Sequence, residues 1–100
     1  MSVTITNHAF ERCKERAGWN KKVAKKMANR AFIKGISHKD TRGRLNKYIT
    51  SLWRYNKNAG NVKVYGEFVF IFAGETLITV HALPNNLKGV VKKMKKEEVL

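Results

Sequence analysis

Apolar residues recur along this chain in short stripes at helical spacing until about residue 57, then switch to the closer alternation of strands. Ala9, Phe10, Cys13 and Ala17 lie on one side of a helix that starts at Asn7, and Gly18 supplies its stop. Asn20 is a good cap for a second helix, whose stripe of Val23, Ala24, Met27, Ala28, Ala31 and Phe32 ends at Gly35, with Trp19 placed to staple onto Ala24. Leu45, Tyr48, Ile49 and Leu52 give the buried face of a third helix, running from about Asp40 or Thr41 to Lys57 and ended by "NAGN". Ahead of these, "SVTIT" is an edge strand or an extended lead-in. Beyond Pro84, Asn85 or Asn86 caps a last helix that carries Leu87, Val90, Val91 and Met94 and is rich in lysine on its outer side.

Between the third and last helices, "VYGEFVFIFAGETLITVHALP" holds two Gly-Glu pairs among aromatic and β-branched residues. Glycine accepts the positive φ that a two-residue type II′ hairpin needs at its first position, so both pairs predict tight turns in a three-stranded meander. The first turn pairs Tyr65 with Phe68, Val64 with Val69, Lys63 with Phe70 and Val62 with Ile71. The second, continued without interruption, pairs Ala73 with Thr76, Phe72 with Leu77, Ile71 with Ile78, Phe70 with Thr79, Val69 with Val80 and Phe68 with His81. One face then carries Val62, Val64, Val69, Ile71, Ile78, Val80 and Ala82, an aliphatic patch for helices to cover. The other carries Lys63, Tyr65, Phe68, Phe70, Phe72, Leu77, Thr79 and His81. Either the C-terminal or first helix, or a second protomer, covers this mixed face and His81 is a packed ring, or the face receives nucleic acid, with Phe68 or Phe70 stacking a base while Lys63, Tyr65, Thr79 and His81 reach sugar and phosphate.

The expected architecture is therefore α+β: one domain over residues 1–100, with the first three helices on one face of an antiparallel meander of three strands, or four with the N-terminal one, and a basic C-terminal helix. A chain of 100 residues leaves no room for a second module. Charge narrows the partners. Lys and Arg number 21 against 7 Asp and Glu, a formal net charge of +14 that calls for an anion. RNA or another nucleic acid, an acidic protein and a ribonucleoprotein all qualify. A membrane does not, since no apolar run approaches the ~20 residues of a spanning helix. With no secretory signal at the N-terminus and a single cysteine, a cytoplasmic setting is expected. Lys21, Lys22, Lys25, Lys26 and Arg30 on the second helix, and Arg42, Arg44, Lys47 and Arg54 on the third, lie off the apolar stripes: a solvated face, or a binding face that almost no acid interrupts.

Candidate chemistry concentrates on the first helix. "HAFERCKER" aligns His8, Arg12 and Arg16 along one line beside the apolar stripe. A histidine among arginines is what metal-free RNA cleavage uses: an acid or base for the 2′-hydroxyl and the leaving oxygen, and fixed cations for the charge that grows on phosphorus. His8 and His81 are thus acid/base candidates, Arg12, Arg16 and Lys63 phosphate clamps, and Tyr65 and Phe68 stacking or orienting groups. No metal or cofactor is expected, because His8, His38 and His81 are far apart and there is no ligand cluster, phosphate loop or nucleophile elbow. Cys13, on the apolar stripe, behaves as a small hydrophobe.

The order of a short strand, helices and a three-stranded meander, with "ITNHAFERCKER" in front and "VYGEFVFIFAGETLITVHALP" behind, resembles the RelE/BrnT-type ribonuclease toxins. It is similar in particular to small relatives common in bacterial mobile elements and prophages. That resemblance implies a metal-independent endoribonuclease whose sheet face receives RNA and is often blocked by an acidic antitoxin. His8 and Arg12 match its opening motif, and Thr79 and His81 stand on the last strand, where such proteins often place active groups. Three helices before the meander, and no aromatic or histidine counterpart after Pro84, depart from the pattern. Two rivals remain: a non-catalytic module that binds nucleic acid or a ribonucleoprotein, such as an inhibitor of a host defence complex, and a basic protein that grips an acidic one.

Overall fold

The computed structural model describes residues 3–55 and 60–98. In chain order these form β1 (Thr4–Ile5), α1 (Asn7–Ala17), α2 (Lys21–Lys34), β2 (Ile36–Ser37), a 3-10 turn (His38–Asp40), α3 (Gly43–Tyr55), β3 (Asn61–Tyr65), β4 (Phe68–Ala73), β5 (Thr76–Ala82) and α4 (Asn85–Glu98). The class is α+β, as expected, but the sheet is larger than the meander: five strands in the order β1-β5-β4-β3-β2, with β1 parallel to β5. β2 is a two-residue strand that periodicity does not register. The third helix begins later than predicted, since Thr41 is buried and donates its hydroxyl to His38 O at 2.6 Å to close the preceding turn. Its predicted end at Lys57 lies outside the described residues, as do the Met94 side chain and Val99–Leu100.

The helices do not share one face of the sheet. Leu45 and Ile49 of α3 and Leu87 and Val91 of α4 cover the aliphatic face of Val62, Val64, Val69 and Ile71. The aromatic face is covered by α1 and α2, whose contribution is small side chains: Ala9, Cys13, Ala24, Ala28 and Ala31 are all fully buried against Phe70, Phe72 and Leu77. Small helical residues let the helices approach closely enough for the rings to fill the space between. Trp19 completes this layer, stacked on Phe70 at 5.9 Å and edge-on to Phe68 at 4.9 Å. Of the two alternatives for the mixed face, cover by helices is what occurs, although α2 shares the task with α1 and the C-terminal helix lies on the other side. Each fully buried ring contributes about 1.5–3 kcal/mol relative to exposure.

Both Gly-Glu turns form as predicted, with φ of 61° at Gly66 and 60° at Gly74. The β3–β4 register agrees residue for residue. The β4–β5 register agrees only at Ala73–Thr76 and Phe72–Leu77, because a bulge at Ile78 then shifts the pairing: Ile71 faces Thr79, Phe70 faces Val80, Val69 faces His81 and Phe68 faces Ala82. The physical reason lies in "TLITVHA". Uninterrupted alternation would carry Thr79 and His81 under α1 and α2 beside the buried rings, where a polar group without a partner costs about 1–3 kcal/mol. One extra residue turns Val80 into that layer instead, fully buried with Phe70, and moves Thr79 and His81 to the aliphatic side.

Candidate functional site

Among the described residues β1 pairs only with Thr76 and Leu77, and no strand covers the outer edge of β5 from Ile78 onward. The Phe72 carbonyl accepts from Gly60 N on the β3 side, so Phe70 also turns its polar groups toward β3, and Val80 opposite it turns its own carbonyl out of the open edge. Arg16 caps that carbonyl. Its Nη1 donates to Val80 O at 2.7 Å and lies 2.9 Å from His81 Nδ1, which wraps the guanidinium around the edge from the α1 layer to the other face. Tyr48 approaches from α3, its hydroxyl donating to Ala82 O at 3.4 Å. The bulge is what brings these three side chains together.

Charge and burial set their protonation. Arginine only donates hydrogen bonds, so His81 Nδ1 must accept, which puts the ring proton on Nε2. Burial of the half-buried ring, reinforced by the positive charges of Arg16 and then Arg12, holds the His81 pKa below its ordinary 6.5, and the imidazole is neutral at pH 7. Burial raises the Tyr48 pKa above its ordinary 10, with Arg16 opposing, so the phenol keeps its proton. Farther along α1, Arg12 Nε donates to His8 Nε2 at 3.3 Å and its Nη1 pairs with Glu15 at 2.9 Å. His8 starts two turns from Arg16, about 12 Å along the helix axis. Cys13 is buried behind this row, its thiol pushed up to about 11, and stays a packing residue.

The other expected site residues are dispersed. Phe68 and Tyr65 pack against the α1–α2 layer, and the predicted row of Phe68 beside His81 does not form. Thr79 is buried at 7% exposure. Lys63 is on β3, two strands from β5 and so about 10 Å away across β4, with Nζ donating to Ser37 Oγ at 2.8 Å. Lys25, Lys26 and Arg30 are exposed on α2, while Arg44 is exposed on α3 in the opposite layer. The positive charge is thus spread over both layers, and among the described residues only Arg12–Glu15 and Lys88–Glu67 form ion pairs.

Tyr48 is the member that the sequence reading missed, taken there as one more apolar contact of the third helix. Its signal was the phenol, which needs a polar partner wherever the ring is buried. Among the described residues no group of three His, Cys, Asp or Glu side chains is placed to hold a metal ion, and no helix is long and apolar enough to cross a membrane. Comparison with protein-family models, with curated proteins and with solved structures gave no match to this chain.

Proposed function

We propose that this protein is a RelE-like, metal-independent endoribonuclease of the cytoplasm that cleaves single-stranded RNA at the open edge of β5. The observation that supports it is the contact of Arg16 with a neutral His81 beside a protonated Tyr48. A phosphodiester entering the edge competes for the Arg16 guanidinium. Drawn onto the phosphate, Arg16 releases His81 Nδ1, and the freed lone pair takes the proton of the 2′-hydroxyl. The 2′-oxygen then bonds to phosphorus while Arg16 and Arg12 stabilise the growing negative charge. The bond from phosphorus to the 5′-oxygen breaks, and that oxygen takes a proton from Tyr48. The products are a 2′,3′-cyclic phosphate and a 5′-hydroxyl. His8, two turns away, serves the neighbouring phosphate rather than the scissile one.

One observation favours the rival reading of a non-catalytic binder: Arg16 occupies the lone pair that a base requires. The two are separated by incubating the purified protein with end-labelled single-stranded RNA in EDTA. Products ending in 2′,3′-cyclic phosphate are expected. Salt-sensitive binding with intact RNA selects the binder, and binding to neither RNA nor DNA at low salt leaves an acidic protein as the partner.

A further inference from the structure

The opposite edge of the sheet holds a second polar groove. Among the described residues β2 pairs with Val64 and Lys63 alone, and none pairs with the outer edge of β3 at Val62 and Asn61. Along this opening α3 presents Asn46, Thr50 and Trp53, one line at helical spacing, and the 3-10 turn presents His38 and Lys39. Trp53 is 42% exposed, one of the few large apolar side chains so placed among the described residues. Among the described residues no acidic side chain lines the groove; Asp40, in the same turn, is exposed outside it.

The polar groups here are held in place. His38 Nε2 lies 2.9 Å from Thr50 Oγ1, and Ser37 Oγ fixes the Lys63 ammonium. Asn46 commits its amide hydrogens to Thr41 Oγ1 at 3.0 Å and His38 O at 3.4 Å, which leaves its carbonyl oxygen as an acceptor for a base edge. An indole beside two lysines, with no carboxylate among the described lining residues, matches what a nucleotide offers, a flat ring joined to an anion. Stacking on an aromatic ring with cations along the backbone is how single strands are held without sequence readout.

We propose that this groove binds one nucleotide of a single-stranded RNA, its base stacked on Trp53 and its phosphate met by Lys39 and Lys63. The site is distinct from the β5 edge and rests on the reading of the protein as RNA-directed. In low salt, a fluorescently labelled uridine oligonucleotide should bind Trp53→Ala about tenfold or more weaker than wild type, with Trp53→Phe in between. Lys39→Ala should reduce the log-log salt slope by about 0.7. An oligonucleotide carrying 4-thiouridine, irradiated on the wild-type protein, should crosslink to Trp53 or His38, a readout that needs no variant to fold. Unchanged affinity in Trp53→Ala, or crosslinks confined to α1 and β5, overturns the groove and leaves the RNA reading standing. Failure of wild type to bind the oligonucleotide at all overturns both.

Discussion

The two edges of the sheet are built alike and equipped differently. Each is closed by a strand of only two residues, β1 on β5 and β2 on β3, and each leaves the rest of its neighbour open. An open edge invites pairing with another chain, and here side chains stand beside both. At β5 the group is a guanidinium that crosses from one layer to the other and meets a histidine whose pKa is lowered by burial and by that charge. At β3 it is an indole and lysines around a groove. On the proposed reading, the first arrangement would stabilise charge that appears during a reaction, and the second would hold ground state and transition state equally. Chemistry is thereby proposed for one edge and grip for the other.

The largest expected effect tests that division directly. His81→Ala should lower the single-turnover cleavage rate by about 10²–10⁴-fold, the usual contribution of a positioned base, with RNA affinity retained. Trp53→Ala should do the reverse, weakening affinity while the rate at saturating protein stays near wild type. Arg16→Ala should lower both, because a phosphate clamp acts before and during the reaction. If His81→Ala costs only thermal stability and leaves the rate intact, His81 is a packing residue and the division fails.

Deleting Ile78 is the next test, because the register of β5 depends on this extra residue. Without it Leu77, Thr79, Val80 and His81 follow one another opposite Phe72, Ile71, Phe70 and Val69, so plain alternation keeps Val80 in its layer and His81 at the edge. What is lost is the Ile78 side chain packed against the aliphatic core, and a loss of about 2 kcal/mol in denaturant titration is expected. Folded molecules should still cleave RNA. A folded deletion variant that binds RNA without cleaving it would mean that the facing of His81 and Val69 is not enough to build the β5 edge.

That dependence explains how much was legible in the sequence. Gly66 and Gly74 announced their turns because their backbone requirement is local, and the pairings next to each turn followed from it. The line of His8, Arg12 and Arg16 was legible for the same reason, helical spacing being a local property. The bulge was not, since "TLITVHA" alternates acceptably in either register until it is known which face α1 and α2 bury. With the register went the meeting of Arg16 and His81, 65 residues apart. β1 and β2 are too short for any period, so the open edges could not be seen either. Trp53 escaped notice because a tryptophan near the end of an amphipathic helix reads as one more apolar contact.

A smaller contrast lies within α1. His8→Ala should reduce cleavage less than His81→Ala, because His8 sits beside Arg12 and away from the bond that breaks. Equal losses in the same single-turnover assay would put His8 back at the scissile phosphate and displace Tyr48 as the proton donor.

The smallest effect concerns the proton on His81 itself. Burial is the larger cause of its lowered pKa, Arg16 the next and Arg12 the third. In Arg16→Gln, removing the adjacent positive charge makes protonation easier, so an NMR titration of the ring should show the pKa rising but remaining below 6.5, with burial untouched. Arg12→Gln should raise it less. The same shift is linked to stability. As pH falls from about 6.5, the unfolded chain takes up a proton at His81 that the folded protein refuses, so the unfolded state gains and stability declines until the folded pKa is passed. His81 thus contributes its full share above pH 6.5, and Arg16→Gln should flatten the acid side of the stability curve. A ring that titrates at the same pH in wild type and in Arg16→Gln would mean that the guanidinium does not hold His81 neutral, and the β5 edge would lose the feature that distinguishes it from the β3 groove.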